Sequence, residues 1–323
     1  MKTKHILSAR QFGKDEILEI FRLADEMKEV YRRGPVQVLA GCKGVINLFC
    51  QRSTRTFSSF EIALDSLGGI MLCSLASYEA SSFAKGESVE DTIRYYCESY
   101  QPHLGAIILR HPQEGAAEEA ANAADDYGVS IINAGDGTNE HPTQALLDLY
   151  TMWKRRNRNL DGVKLVVGND LKGRTIRSLC LLLARNFKVR MITTCAPQGS
   201  SSLPSGLVSE LLDYNVAVWP TADLKEAIKK DTEFVYWTRP QKEYYDSPEL
   251  LAAFRGFQIT EEFFDSLPPE NSLLVMHPMP VDSETFNEIT PAAKAHPRCI
   301  MIEQAANGLP IRMALLKMLL YPN

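Results

Sequence analysis

The chain has 323 residues, which is enough for two domains of ordinary size, each with its own core. Hydrophobic residues make up 45% of it and charged residues 23%, as is typical of a globular protein. The formal net charge of -5 argues against nucleic acid or an anionic membrane surface as a partner. The sequence has no apolar run that could span a membrane, and its first residues lack the apolar stretch of a secretory signal.

The cysteines also bear on where the protein works. There are seven, and they stand singly, without a CxxC pair: Cys42, Cys50, Cys73, Cys97, Cys180, Cys195 and Cys299. An odd number of scattered cysteines predicts buried free thiols in a reducing compartment. We therefore expect a cytoplasmic protein.

Apolar periodicity in the first half of the chain predicts alternating helices and strands. Residues 15–31 place apolar side chains on one helical stripe, whereas residues 44–50 form a short apolar run typical of a strand. The pattern then continues with helices at 58–69, 88–100, 114–128 and 142–156 and with strands at 70–75, 105–110 and 130–135.

The second half repeats this alternation. Strands are predicted at 164–170, 190–195, 233–239 and 272–280, and helices at 175–187 and 307–320. Such alternation predicts parallel sheets covered by helices on both faces. The fold class is therefore α/β, with two doubly wound parallel-sheet domains joined by helices. We place the domains at residues 1–148 and 149–305, with a C-terminal helix in 306–323 returning to the first domain.

Polar residues stand where several predicted strands end. Ligands of parallel α/β sheets bind beyond the carboxyl ends of the strands. A single arginine there is more often a surface charge or an ordinary ion pair. Six polar groups at six such ends instead favour a binding site, because the fold gathers them: residues 53–56, Arg110 with His111, His141 with Gln144, Arg174, Arg239 and His277.

Residues 53–56, Ser-Thr-Arg-Thr, lie between a predicted strand and a predicted helix. Hydroxyls and unpaired N–H groups at a helix N-terminus bind anions, and an arginine adds a planar fork suited to phosphate. The alternative is a simple helix cap, but one residue is enough for that role. The pattern therefore favours a phosphate site.

At this point the sequence resembles a known family over nearly its whole length. The segments STRT, KGESVEDT, RHPQEG, NAGDGTNEHPTQALLDLYT, GRT, TRPQKE, HPMP and NGLPIRMALL are similar, in order and spacing, to motifs of aspartate carbamoyltransferase catalytic chains. The resemblance implies transfer of the carbamoyl group of carbamoyl phosphate to the α-amino group of L-aspartate, in pyrimidine biosynthesis. It implies no cofactor, metal or covalent intermediate.

The resemblance also assigns residues to this reaction. The catalytic residues would be Arg55, Thr56, His141 and Lys85. The groups on carbamoyl phosphate would be Ser53, Thr54, Arg55, Thr56, Arg110, His141, Gln144, Ser81, Lys85 and the backbone at Pro278 and Met279. The groups on aspartate would be Arg174, Arg239, Gln241 and Lys85.

The polar segment 77–88 would cross into the active site of a neighbouring subunit in the family. Ser81 and Lys85 would then come from that neighbour, and the catalytic unit would be a homotrimer with shared sites. The sequence does not indicate whether regulatory chains join this trimer.

Three positions depart from the family pattern. Gln51 stands where bacterial members commonly have Glu, Tyr244 where Arg is frequent, and Val281 where Arg is usual. In the family that Glu bridges the domains by pairing with arginines, so we expect a different set of closure contacts here, with Arg52 supplying part. The departures leave two alternatives open: a carbamoyltransferase for another amine, such as ornithine, or a non-catalytic regulatory paralogue. A dinucleotide-binding dehydrogenase is disfavoured because GxGxxG is missing.

Overall fold

The computed structural model describes residues 5–34, 37–79, 81–242, 245, 247–268 and 270–321. These residues form two compact units, each built on a parallel sheet. One unit runs up to Leu147 and resumes at Asn307, and the other covers Asp148–Ala306. The predicted fold class is therefore confirmed.

The first unit contains a four-stranded parallel sheet with strand order β2-β1-β3-β4. Alternate residues of its central strands, such as Ile46 and Ile107, pack in one core with residues of helices α3 and α4. The elements are β1 (Gly44–Phe49), β2 (Met71–Leu75), β3 (Leu104–His111) and β4 (Ser130–Asp136), with α1 (Lys14–Arg33), α2 (Thr54–Ser66), α3 (Val89–Tyr100) and α4 (Ala116–Ala124). Helix α5 (Pro142–Arg155) begins in the first unit and ends in the second.

The C-terminal helix belongs to the first unit, as predicted. This helix spans Gly308–Leu320 and packs against α1 and α2. Inside it, the buried Arg312 stacks its guanidinium over the Phe60 ring of α2, 5.2 Å from the ring centroid. A helix that is apolar over most of its surface needs such enclosure, because it has no polar face to turn to water.

The second unit has a five-stranded parallel sheet with order β7-β6-β5-β8-β9. Its strands are β5 (Leu165–Asn169), β6 (Met191–Cys195), β7 (Ala217–Thr221), β8 (Phe234–Thr238) and β9 (Leu274–Met276). Its helices are α6 (Arg174–Asn186), α7 (Ser205–Asp213), α8 (Leu224–Ala227), α9 (Pro248–Phe254), α10 (Glu261–Asp265), α11 (Pro291–Ala295) and α12 (Met301–Ala306), so the C-terminal helix is α13.

Some predicted elements differ from the structure. Strand β7 was not predicted, because it lies at the sheet edge, contains Pro220 and exposes much of its surface, so its pattern is weak. The strand predicted over 272–280 ends at Met276, and Met279 beyond it has a positive φ of 57°, outside the extended region in which a strand continues. All seven cysteines are free, but Cys42, Cys73 and Cys299 are only half-buried. None of the helices in the described part of the chain is both long and apolar enough to cross a membrane.

Gly168 tests how tightly the core of the second unit is packed. A Cβ atom added at this central position of β5 would lie 2.3 Å from Cζ3 of Trp237, which is completely buried. We expect Gly168→Ala to lower the free energy of unfolding by about 2 kcal/mol, because the indole must shift within a packed core. Gly206→Ala in α7 is the control: a Cβ there meets nothing within 4 Å, and we expect no loss. Urea denaturation measures both, and equal stabilities would contradict the packing.

Candidate active site

Residues 53–56 form the beginning of α2. The helix starts at Thr54, four residues earlier than predicted, with Ser53 as an extended N-cap residue. The Ser53 carbonyl accepts the Phe57 N–H at 3.2 Å, but its side chain makes no capping hydrogen bond with the described residues. The first N–H groups of a helix have no partner within it. The arrangement therefore favours an anion site over a simple helix cap.

His141 meets this segment from the start of α5. Its Nε2 lies 3.5 Å from the Thr56 hydroxyl, and its Nδ1 lies 3.4 Å from the Thr143 hydroxyl. His141 and Thr56 are both buried, and Gln144 is 9% exposed in the first turn of α5, where its N–H donates to the His141 carbonyl. The fold thus brings together predicted residues that lie 85 positions apart.

Arg110 joins the same edge of the sheet. Its carbonyl accepts the Cys50 N–H at 2.7 Å, which ties the end of β3 to the end of β1, three residues before Ser53. Its guanidinium donates through Nη1 to the Ala134 carbonyl at 2.8 Å. The cation is therefore held at the carboxyl ends of β1, β3 and β4.

Two buried carboxylates that the sequence reasoning missed hold the loop before His141. Asp136, 3% exposed, accepts the side-chain amides of Asn133 and Asn139 and the backbone N–H groups of Glu140 and Gly115, at 2.8–3.1 Å. A carboxylate that accepts several donors can remain buried at little cost. Asp136 therefore fixes the course of the chain towards His141.

Glu140 fastens this loop to the N-terminal segment. It is 1% exposed and accepts the Ser8 hydroxyl at 2.6 Å, the Ala9 N–H at 2.7 Å and the Arg10 guanidinium at 2.6 Å. Acidic residues in a loop rich in Gly and Asn are usually exposed, so composition gave no sign of this role. The only signal was the position of both acids within five residues of a candidate site histidine.

The segment with Ser81 and Lys85 includes a short 3-10 helix, Ser82–Lys85. Phe83 anchors it in the core, with its ring 5.0 Å from the His111 ring in an edge-to-face contact. Burial lowers the pKa of His111, which favours the neutral imidazole. Ser81 is buried and its hydroxyl donates to the Tyr78 carbonyl, whereas Lys85 is exposed. His111 is thus a support for this segment.

In the second unit, Arg174 and Arg239 stand beyond the ends of two neighbouring strands. Arg174 is the first residue of α6, shortly after β5, and Arg239 directly follows β8. The strand ends are joined because Asn169 donates its side-chain amide to the Thr238 carbonyl at 2.9 Å. Arg174 is 9% exposed and Arg239 is half-buried.

Gln241 lies beside the start of α6. Its Nε2 would be 3.4 Å from a Cβ atom built on Gly173, the residue before Arg174. Its backbone N–H donates to Asp170 Oδ2 at 2.8 Å. The fold therefore gathers three of the four residues predicted for aspartate, Arg174, Arg239 and Gln241, at the carboxyl ends of β5 and β8, whereas Lys85 belongs to the first unit.

The segment after β9 is shaped by His277, which is completely enclosed rather than presented to a ligand. Its Nδ1 accepts the Met279 N–H at 2.7 Å, so its Nε2 carries the proton towards Glu288 Oε1, 3.1 Å away. The hydrogen bond from the Met279 N–H to His277 Nδ1 holds Met279 in its positive-φ conformation. Pro278 and Met279 are half-buried.

The positions at which the sequence differs from the family pattern lie in different surroundings. Val281 packs, partly buried, against the apolar core of the second unit, which accounts for an aliphatic residue there. Gln51 is half-buried and Arg52 is exposed. Tyr244 lies outside the described residues.

Comparison with known proteins agrees with this geometry. Residues 4–154 match the family model of the aspartate/ornithine carbamoyltransferase carbamoyl-P binding domain, and residues 161–319 match that of the Asp/Orn binding domain. The chain belongs to the aspartate/ornithine carbamoyltransferase family.

Relatives of this chain include proteins named aspartate carbamoyltransferase. An aspartate carbamoyltransferase catalytic subunit of Methanopyrus kandleri is 38% identical, with 98% of this chain and 97% of that protein covered. A chloroplastic aspartate carbamoyltransferase of Oryza sativa is 39% identical over 98% of this chain and 84% of its own. The crystal structure of aspartate transcarbamoylase from Trypanosoma cruzi with carbamoyl phosphate and aspartate has a TM-score of 0.86 at 33% identity, covering 98% and 96% of the two chains. The resemblance to aspartate carbamoyltransferase catalytic chains is confirmed.

A substitution of Asp136 tests whether its carboxylate stabilises the loop before His141. We expect Asp136→Ala to lower the free energy of unfolding by about 3 kcal/mol, because four donors, two of them in buried hydrogen bonds and two in partly buried ones, lose this acceptor. Asp126→Ala, at an exposed position, should change it by less than about 0.5 kcal/mol. Guanidinium denaturation of both variants measures the difference. A loss no larger than that of the control would show that Asp136 does not organise the loop.

Proposed function

We propose that this chain transfers the carbamoyl group of carbamoyl phosphate to the α-amino nitrogen of L-aspartate. The products are N-carbamoyl-L-aspartate and phosphate, in pyrimidine biosynthesis. The observation that carries the choice of amine is the pair Arg174 and Arg239 at adjacent strand ends. Two arginines match the two carboxylates of aspartate, whereas ornithine would bring a second cation against one of them.

The first unit binds carbamoyl phosphate in this proposal. Its phosphate lies at the start of α2, where Ser53, Thr54, Arg55 and Thr56 offer hydroxyls, N–H groups and a guanidinium, and Arg110 adds a second cation. The first turn of α2 supports this assignment, since the Ser53 side chain does not cap it and the first N–H groups of a helix attract an anion. The second unit binds aspartate through Arg174, Arg239 and Gln241.

The chemical step needs a stabilised oxyanion and a proton acceptor. The amine nitrogen attacks the carbamoyl carbon, and the carbonyl oxygen of the carbamoyl group becomes an oxyanion. The bond between the carbamoyl carbon and the oxygen that bridges it to phosphorus then breaks, and phosphate leaves with that oxygen. Thr56, His141 and Arg55 stabilise the oxyanion, and each such donor is worth about 3 kcal/mol. The departing phosphate takes the proton of the amine. The contact of 3.5 Å between Thr56 and His141 supports their common task.

A substrate panel tests the proposed reaction. We expect carbamoyl-aspartate from carbamoyl phosphate with L-aspartate and no product with L-ornithine. Arg239→Met should lower kcat/KM for aspartate about 100-fold, since a charged hydrogen-bond partner of the substrate is lost. Arg255→Met, at an exposed position of the same unit, should have little effect. Turnover with ornithine would favour the alternative amine, and binding of carbamoyl phosphate without any turnover would favour a regulatory paralogue.

The proposed assembly is a homotrimer in which each site takes Ser81 and Lys85 from a neighbour. The exposure of Lys85 on a segment held by Phe83 supports this role. So do two exposed apolar side chains of the first unit: Ile70, directly before the edge strand β2, is 53% exposed, and Tyr95 in α3 is 58% exposed. Large apolar side chains exposed beside a sheet edge are typical of an interface with another chain.

Mixed trimers test the shared site. Lys85→Ala and His141→Ala should each abolish most activity when assembled alone. After the two proteins are unfolded and refolded together in equal amounts, we expect about a quarter of wild-type activity, because random neighbours restore both residues in about one site in four. The control is each variant refolded by itself. Activity that stays at the level of the single variants would mean that Lys85 acts within its own chain.

We further propose that the protein works in the cytoplasm. The seven free cysteines support a reducing compartment, and burial raises the pKa of Cys50, Cys180 and Cys195 to about 12, which keeps these thiols protonated. Immunodetection in fractionated source cells tests this; the chloroplastic rice relative illustrates the alternative outcome.

A further inference from the structure

Asp170 joins the two loops that carry the proposed aspartate ligands. It directly follows β5 and is completely buried. Its Oδ1 accepts the Lys172 N–H at 3.0 Å, in the turn that leads to Arg174, and its Oδ2 accepts the Gln241 N–H at 2.8 Å, just after Arg239. One carboxylate therefore sets the distance between the two loops.

Tyr245 completes this arrangement. Its hydroxyl donates to Asp170 Oδ1 at 2.6 Å, and the side chain is 5% exposed. Its ring packs edge-on against Phe254, with centroids 5.2 Å apart, and the Lys172 ammonium lies 4.6 Å from the ring centroid. Tyr245 thus contacts the first loop through Lys172 and follows Gln241 by four residues in the second.

We propose that Tyr245 is a positioning residue for aspartate binding, which acts by holding Asp170 and so the spacing of Arg174, Arg239 and Gln241. The inference rests on the proposed function. Tyr245 need not touch the substrate, since its hydroxyl ends on Asp170. Each arginine fork binds a carboxylate well only within a narrow geometry, so a small shift of either loop weakens aspartate binding.

The hydroxyl has an electrostatic effect that a phenyl ring cannot supply. Burial raises the pKa of Asp170, and the Tyr245 hydroxyl opposes this most strongly, ahead of the Gln241 and Lys172 N–H groups and the Lys172 ammonium. Removal of the hydroxyl leaves burial less opposed, so the pKa of Asp170 rises further. As pH falls, Asp170 then takes up its proton earlier than in the wild type, and a protonated carboxyl no longer holds both loops equally well.

Steady-state kinetics of Tyr245→Phe test the proposal. We expect KM for aspartate to rise about tenfold, with kcat and KM for carbamoyl phosphate within about threefold of the wild type, since one charge-assisted hydrogen bond is lost at the second loop. The ratio of the two KM values for aspartate should grow as pH is lowered from neutrality into the acidic range in which a carboxyl group takes up its proton. Asp170→Asn added to Tyr245→Phe should remove this pH dependence, because position 170 can no longer titrate.

Tyr214→Phe is the matched control. Its hydroxyl accepts from the Arg185 guanidinium in the same unit and does not contact Asp170, so its KM values should match the wild type at every pH. An unchanged KM for aspartate in Tyr245→Phe, or an increase that does not depend on pH, would overturn the positioning role. Thermal unfolding of each variant confirms that the folded proteins are being compared.

The experiment distinguishes failure of the proposed reaction from failure of the positioning role of Tyr245. A wild-type protein that makes no carbamoyl-aspartate would refute the reaction but leave the dicarboxylate site testable. In that case the calorimetric Kd for succinate, a dicarboxylate without the amine, replaces KM in the same comparison. A weaker Kd in Tyr245→Phe supports the inference, and equal Kd values overturn it.

Discussion

A buried carboxylate at the end of a parallel strand organises each half of this protein. Asp136 ends β4 and Asp170 follows β5, and each accepts donors from loops that the sheet itself does not hold. Loops beyond the carboxyl ends of parallel strands lie outside the hydrogen-bond ladder, so their conformation depends on side chains. A carboxylate suits this task, because it can accept about four hydrogen bonds without donating any. His141 in the first unit and Arg174, Arg239 and Gln241 in the second lie in or next to loops that are fixed in this way.

The two units present different kinds of groups that suit the binding of an anion. The first offers a helix N-terminus, where N–H groups, hydroxyls and one embedded arginine suit the spread charge of a phosphate. The second offers separate arginines on neighbouring strand ends, which suit carboxylates at two ends of one molecule. A helix start presents donors within one small volume, whereas adjacent strands are about 5 Å apart and set cations side by side. The chemistry of the two proposed substrates thus corresponds to the element that receives each.

The sequence specified the alternation of strands and helices because buried parallel strands are continuous apolar runs, as β1 and β3 illustrate. It also indicated residues 53–56, His141, Arg174 and Arg239, since polar residues directly after such runs stand out. It did not reveal Asp136, Glu140 or Asp170, because nothing in composition separates a buried acid from an exposed one. Those roles depend on donors such as Ser8 and Tyr245 that lie up to 132 residues away, and only the folded chain brings them near.

The departure from the family pattern at position 281 follows the same logic of local enclosure. An arginine at position 281 would set a charge against the apolar cluster that the half-buried Val281 joins, and partial burial of a charge costs free energy unless a partner or solvent satisfies it. The neighbouring loops are instead linked by Lys242, whose ammonium lies 3.2 Å from Asp282 Oδ2 and donates to the Thr285 hydroxyl at 2.6 Å. That lysine comes directly after Gln241, so the loop with Arg239 and Gln241 is held by Asp170 on one side and by Asp282 on the other. The second unit therefore fixes its proposed aspartate ligands with charges of its own, and an arginine at position 281 is not required for that purpose.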